Sequence, residues 1–86
     1  MAKSIFTREY KTLCRELIEI RKRNNLTQMQ IAKRLARPQS YVSKYEHGER
    51  RLDVVEFVQV AKAVGVDPCA ILKKLTIPLP RYHGTK

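Results

Sequence analysis

The chain has 86 residues, 43% of them apolar, enough for one small hydrophobic core and too many for a disordered tail. Eighteen Lys and Arg against eight Asp and Glu leave a formal charge of +10, which asks for an anionic partner. Two cysteines exclude a disulfide scaffold, and no apolar run approaches the ~18 residues of a membrane span.

The position of the charge says more than its sum. Between Ile20 and Tyr45 lie seven bases (Arg21, Lys22, Arg23, Lys33, Arg34, Arg37 and Lys44) and no acid. An unbroken positive stretch in an ordered domain suits duplex nucleic acid, the densest polyanion in a cell. A merely solvated basic surface is the plain alternative. An acidic membrane fits less well, because no basic amphipathic helix carries an exposed aromatic face.

The periodicity predicts helices throughout. Over residues 7–24, Tyr10, Leu13, Cys14, Leu17, Ile18 and Ile20 recur at the 3–4 spacing of one helical face, opened by Thr7 and closed by Asn24-Asn25. Thr27 and Gln30 stand at the spacing of a capping box, and the short helix they open turns Ile31, Ala32 and Leu35 inward. Ala36-Arg37-Pro38 interrupts it, since proline cannot continue a helix but is tolerated where the next one starts. Residues 39–46 restart with Val42 and Tyr45 inward, and Gly48 stops them. Residues 54–64 carry one narrow stripe, Glu56, Gln59, Lys62 and Ala63, on a mostly apolar helix, which predicts an enclosed element ended by Gly65. Asp67-Pro68 then reads as cap plus first helical residue, leading to a last helix through Cys69–Leu75. The expected organisation is all-α: an N-terminal arm at 1–6, a compact five-helix domain at 7–75 and an irregular tail at 76–86.

Two short helices joined by a three-residue turn, the second opening with small polar side chains, form the helix-turn-helix pattern. A major groove about 12 Å wide admits one helix, whose first turns must carry groups able to bond base edges. Gln39, Ser40, Ser43 and Lys44 share one side of the 39–46 helix and are the expected base contacts. Tyr41 is expected at the edge of that side, touching a thymine methyl or a phosphate.

The ordered set Leu26-Thr27-Gln28, Ile31-Ala32, Leu35, Gln39-Ser40-Tyr41-Val42-Ser43-Lys44-Tyr45-Glu46-His47-Gly48-Glu49-Arg50-Arg51, Leu52-Asp53 and Ala61-Lys62-Ala63-Val64-Gly65-Val66-Asp67-Pro68 closely resembles the phage-repressor/Cro-like (XRE) helix-turn-helix family. The resemblance covers roughly residues 13–75. It implies a lambda-repressor-like fold with the third helix in the major groove, and Gln28 on a phosphate. It also implies backbone contacts from the loop His47 to Arg51, chiefly by Arg50 and Arg51, and a structural ion pair between Arg21 and Glu46. Arg37, like Arg34, is expected on phosphate or solvent. The sequence departs from the family in two places. Ala36 stands where glycine is common, and a left-handed alanine there costs ~1–2 kcal/mol if the backbone is kept. Pro38 replaces the usual hydroxyl cap.

No catalytic order of Ser, His and Asp, no phosphate-cradling glycine loop and no paired zinc ligands appear, so a non-enzymatic protein without cofactor or metal is expected. Cys14 and Cys69 read as small buried hydrophobes. The predicted function is a sequence-specific DNA-binding transcriptional regulator, a small repressor, cytoplasmic and associated with the nucleoid through DNA. One reading helix covers too few base pairs to select a genomic site, so a homodimer is expected through the last helix and tail, where Ile71, Leu72, Leu75, Ile77 and Leu79 are the available apolar groups and some of them must be core. The alternative is a protein-binding module, such as the antitoxin of a toxin–antitoxin pair, with Ile77-Pro78-Leu79-Pro80 and Tyr82 as the partner segment.

Overall fold

The computed structural model describes residues 7–75. Among them are five helices and no strand: α1 (Arg8–Arg23), α2 (Gln28–Leu35), α3 (Gln39–Glu46), α4 (Val54–Val64) and α5 (Pro68–Leu72). No helix among the described residues is long and apolar enough to cross a membrane. The expected arm at 1–6 and tail at 76–86, with Ile77, Leu79 and Tyr82, lie outside the described residues.

Local chemistry opens four of the five helices. The Thr7 hydroxyl accepts the Tyr10 N–H at the start of α1. At α2 the Thr27 hydroxyl accepts the Gln30 N–H while the Gln30 amide oxygen accepts the Thr27 N–H, the capping box that the spacing predicts. Asp53 and Glu56 make the same reciprocal pair at α4. Asp67 accepts the Cys69 N–H, with Pro68 in the first turn of α5. Caps of this kind contribute about 1 kcal/mol each. The exception is α3, whose N-cap, Pro38, makes no side-chain cap bond.

The helix ends are closed by left-handed residues. Ala36 adopts φ 56°, ψ 44° at the end of α2, so the chain keeps the turn and bears the alanine strain. Gly65 ends α4 at φ 92°, where a Cβ would lie 3.1 Å from Asn24 Nδ2. That nitrogen donates to the Val64 carbonyl at 2.7 Å, and Arg34 Nη1 donates to the Ala63 carbonyl at 2.7 Å. The last carbonyls of α4, which have no partner within the helix, are thus tied to α1 and α2. Arg34, expected on phosphate or solvent, is exposed and also holds the end of α4 through this one bond.

Leu17, Ile31, Val42, Tyr45, Val60, Val64 and Ile71 are fully enclosed, each burial contributing about 1.5–3 kcal/mol. They join α2 to α3 and α4, and α1 to α3, α4 and α5. Tyr45 carries its hydroxyl inside, where no group among the described residues hydrogen-bonds the oxygen and burial pushes the phenol well above its ordinary range. Cys14 is buried as expected, its thiol 3.5 Å from the Tyr45 carbonyl oxygen.

Several expectations need correction. Cys69 is exposed, because α5 turns Ile71 to the core and residues two apart point nearly opposite ways. Ile71 itself is core and is unavailable to a partner, which leaves exposed Leu72 and half-buried Leu75 of the expected dimer set within the described residues. α5 begins at Pro68 as expected but ends at Leu72, with Lys73 as its C-cap, so it stops short of Leu75. α4 has the expected bounds, but Ala63 is buried and Val54 and Val55 are exposed. Its first turn therefore projects past the helices that enclose the remainder.

Candidate nucleic-acid interface

α3 has one face in the core and one in solvent. Val42 and Tyr45 are completely enclosed, whereas Gln39, Ser40 and Lys44 are exposed and Ser43 is half-buried. The four side chains expected to read bases therefore share the open flank. The uncapped start of α3 leaves its first backbone donors without a side-chain acceptor from Pro38.

A polar chain fixes the inner side of this helix. Arg21 Nε meets Glu46 Oε2 at 2.7 Å and Arg21 Nη2 meets Oε1 at 3.1 Å, a two-pronged pair between α1 and the last residue of α3. Arg21 Nη1 also donates to the Leu26 carbonyl at 2.9 Å, holding the α1–α2 link. Gln28 Nε2 donates to Glu46 Oε1 at 2.8 Å, and Gln39 Nε2 donates to Gln28 Oε1 at 3.3 Å. An ionised carboxylate only accepts, so each amide in turn has its orientation determined. Gln28 turns its NH2 to Glu46 and its oxygen to Gln39. Gln39 gives one N–H to Gln28 and keeps its oxygen and second N–H for the open flank.

The outer side is built differently. Arg50 spans both oxygens of Glu56, at 3.1 and 2.8 Å, and its guanidinium carbon lies 4.8 Å from the Tyr41 ring centre. Arg37 lies 4.5 Å from the same centre, and the Tyr45 ring meets Tyr41 edge-on at 5.7 Å. Tyr41, expected at the groove edge, is only 7% exposed: the ring is the plate on which two guanidiniums rest. Its burial pushes the phenol up. Glu56 is drawn down to about 2, first by the Arg50 hydrogen bonds and next by the Asp53 N–H.

Beyond α3, His47 Nδ1 lies 2.7 Å from the Ser43 carbonyl oxygen, so that nitrogen carries a proton and Nε2 is directed away. The Arg51 guanidinium lies 4.4 Å from the Tyr10 ring centre, and the Tyr10 hydroxyl accepts the Leu52 N–H at 2.9 Å. The loop expected to carry Arg50 and Arg51 to a phosphate thus holds both against aromatic rings.

Three residues hold this architecture by contacts that went unread in the sequence: Glu56, Tyr10 and Asn24. Glu56 had a signal, the Asp53-x-x-Glu56 spacing of a capping box. Tyr10 and Asn24 act across 42 and 40 residues of sequence, and no local pattern reports such contacts.

Residues 12–71 match the family described as "Helix-turn-helix domain". A solved structure described as an XRE-family like protein from Pseudomonas syringae pv. tomato str. DC3000 is similar at 48% identity and a TM-score of 0.75. The similarity covers 77% of this chain and 80% of that one. No curated protein matches the chain significantly. With the family match spanning most of the five helices, the chain belongs to the XRE-type helix-turn-helix family of DNA-binding regulators.

Proposed function

We propose that the chain is a sequence-specific transcriptional regulator, a small repressor, that places α3 in the major groove and acts by occupying its site. The observation that carries this reading is the oriented chain from Arg21 through Glu46 and Gln28 to Gln39. It leaves Gln39 with one acceptor and one donor facing out, the pair that adenine N6 and N7 require. Ser40, Ser43 and Lys44 complete the reading surface, with lysine suited to guanine acceptors. Gln28 keeps one N–H for a phosphate, and His47 and Arg51 flank the helix as further backbone groups.

Arg50 is assigned a lesser part in this scheme, since Glu56 already balances its charge. A homodimer supplies the second half-site, about 34 Å away along the duplex. Of the apolar groups expected at its surface, Leu72 and Leu75 remain among the described residues, with Ile77 and Leu79 beyond them.

The decisive experiment selects a binding site from a random duplex pool, then measures Gln39→Ala against that site and its single-base variants. The loss is expected to be ~1–3 kcal/mol and to relax preference at one base position. Equal losses on every duplex would overturn base reading by α3.

A further inference from the structure

Between the second half of α2 and α4 lies a cleft of about 460 Å³ lined by Arg34, Leu35, Arg37, Gln59, Lys62 and Ala63. Three of the six are cations and none is an acid. The neighbouring carboxylate of Glu56, one turn before Gln59, is held by Arg50 at 2.8 Å. Arg34 gives Nη1 to the Ala63 carbonyl, which anchors its fork while leaving its other donors at the cleft. Arg37 is laid flat on Tyr41, and Lys62 is exposed. Gln59 and Lys62 belong to the polar stripe of α4 that the DNA-reading surface does not use.

We propose that this cleft receives an acidic segment of a partner protein, with one apolar side chain on Leu35 and Ala63 and flanking carboxylates on Arg34, Arg37 and Lys62. Charge complementarity selects the class of ligand, and two preplaced guanidiniums match the planar fork of a carboxylate. The apolar floor selects peptide over nucleic acid, since a phosphodiester strand brings nothing to cover it. The chain's own residues 76–86 are an unsuitable occupant, carrying Arg81 and Lys86 and no acidic side chain. Lys62 follows Glu56 by six residues, about 9 Å along α4 away from the Arg50 loop. The cleft therefore stays open while α3 is on DNA, the one point at which this inference rests on the proposed function. A regulator so built touches DNA and an acidic protein surface at once.

The test titrates the 15N-labelled full chain, free and on its selected duplex, with the synthetic peptide Glu-Asp-Leu-Glu-Glu-Leu. The neutral peptide Gln-Asn-Leu-Gln-Gln-Leu and sodium phosphate serve as parallel titrants. Shifts are expected within residues 34–37 and 59–63 with the acidic peptide alone, with or without DNA. Lys62→Glu is expected to weaken the peptide about tenfold or more. Its DNA affinity at 0.15 M salt is expected to stay within about threefold, since Lys62 lies on α4, off the open flank of α3, and salt screens an exposed charge at a distance. Lys62→Gln, a milder change on the same exposed position, should weaken the peptide by a smaller factor in the same direction. Equal binding of the neutral peptide, the same shifts from phosphate at the same concentrations, or displacement of the peptide by DNA would each overturn the proposal. So would a drop of about one in the DNA salt slope of Lys62→Gln, which would give the cleft to the phosphate backbone. A chain that binds the peptide here yet shows no duplex preference would refute the proposed function and leave this inference standing.

Discussion

Arg21 and Glu46 meet on the inner side of α3 at 2.7 Å, with side chains 11% and 5% exposed; Arg50 and Glu56 meet on its outer side at 2.8 Å, with side chains 39% and 14% exposed. The chemistry and the distance are the same. What differs is water. The inner pair has lost most of its hydration and compensates by bonding the Leu26 carbonyl and the Gln28 amide as well. The outer pair keeps more of its water, and its Arg50 guanidinium lies against the Tyr41 ring instead. Charge pairs in water contribute little to stability, whereas breaking a dehydrated pair strands a buried charge. The inner pair therefore fixes where α3 and Gln39 lie, and the outer pair tunes the surface around them.

The comparison breaks most visibly at Glu46. Glu46→Ala leaves the Arg21 guanidinium buried without its carboxylate and releases Gln28. A loss of ~3–5 kcal/mol is expected from urea unfolding. For a domain of this size that is a large part of the total stability. Replacing both members, Arg21→Met with Glu46→Leu, is expected to recover most of the loss, because no unpaired charge remains. The double variant separates stability from reading: its Gln28 and Gln39 amides lose their orientation, so preference at the Gln39 base position should weaken even in a well-folded protein. Full retention of that preference would detach the buried pair from DNA reading.

The turn between α2 and α3 sharpens the contrast by changing backbone strain with no side-chain pair involved. Ala36 sits at φ 56°, where an L residue brings its Cβ too close to the following carbonyl. Ala36→Gly is expected to raise stability by about 1 kcal/mol, read as a higher urea midpoint with unchanged slope. Base preference should stay as it is, since the turn keeps its shape. A destabilised Ala36→Gly protein would mean that the left-handed turn is absent in solution.

These two sites also mark where sequence is readable. The bounds of α2, α3 and α4 follow from residues within a turn of each end: Thr27 with Gln30, Pro38, Gly48 and Gly65. The open flank of α3 follows as well, because Val42 and Tyr45 fix which side is buried. Tyr41 did not follow, since its burial depends on Arg50 from the next loop and on the anchoring of Arg50 by Glu56 in α4. Arg34 misled in the same way: its partner is a carbonyl 29 residues away. Cys69 and Ile71 show a different failure. A five-residue helix has too few apolar positions to reveal its inner face, so composition alone assigned Cys69 to the core and left Ile71 undivided between core and partner.

The smallest expected effect belongs to the outer pair, and pH isolates it. Glu56 has its carboxyl lowered from 4.5 to about 2 in the folded chain. The stabilisation linked to this shift is fully present above pH 4.5 and is lost as the pH falls towards 2, because only the ionised form carries the charge that pairs with Arg50. Glu56→Gln keeps the cap, since a glutamine oxygen still accepts the Asp53 N–H, and removes only the charge. Its urea midpoint at pH 7 should fall slightly below that of the parent, by less than either change above, and the gap should shrink as salt is added. Between pH 4.5 and 2 the parent should lose more stability than the variant until the two curves meet. Parallel curves across that interval would mean that Arg50 spends its time away from Glu56, which would return its charge to the DNA-facing loop.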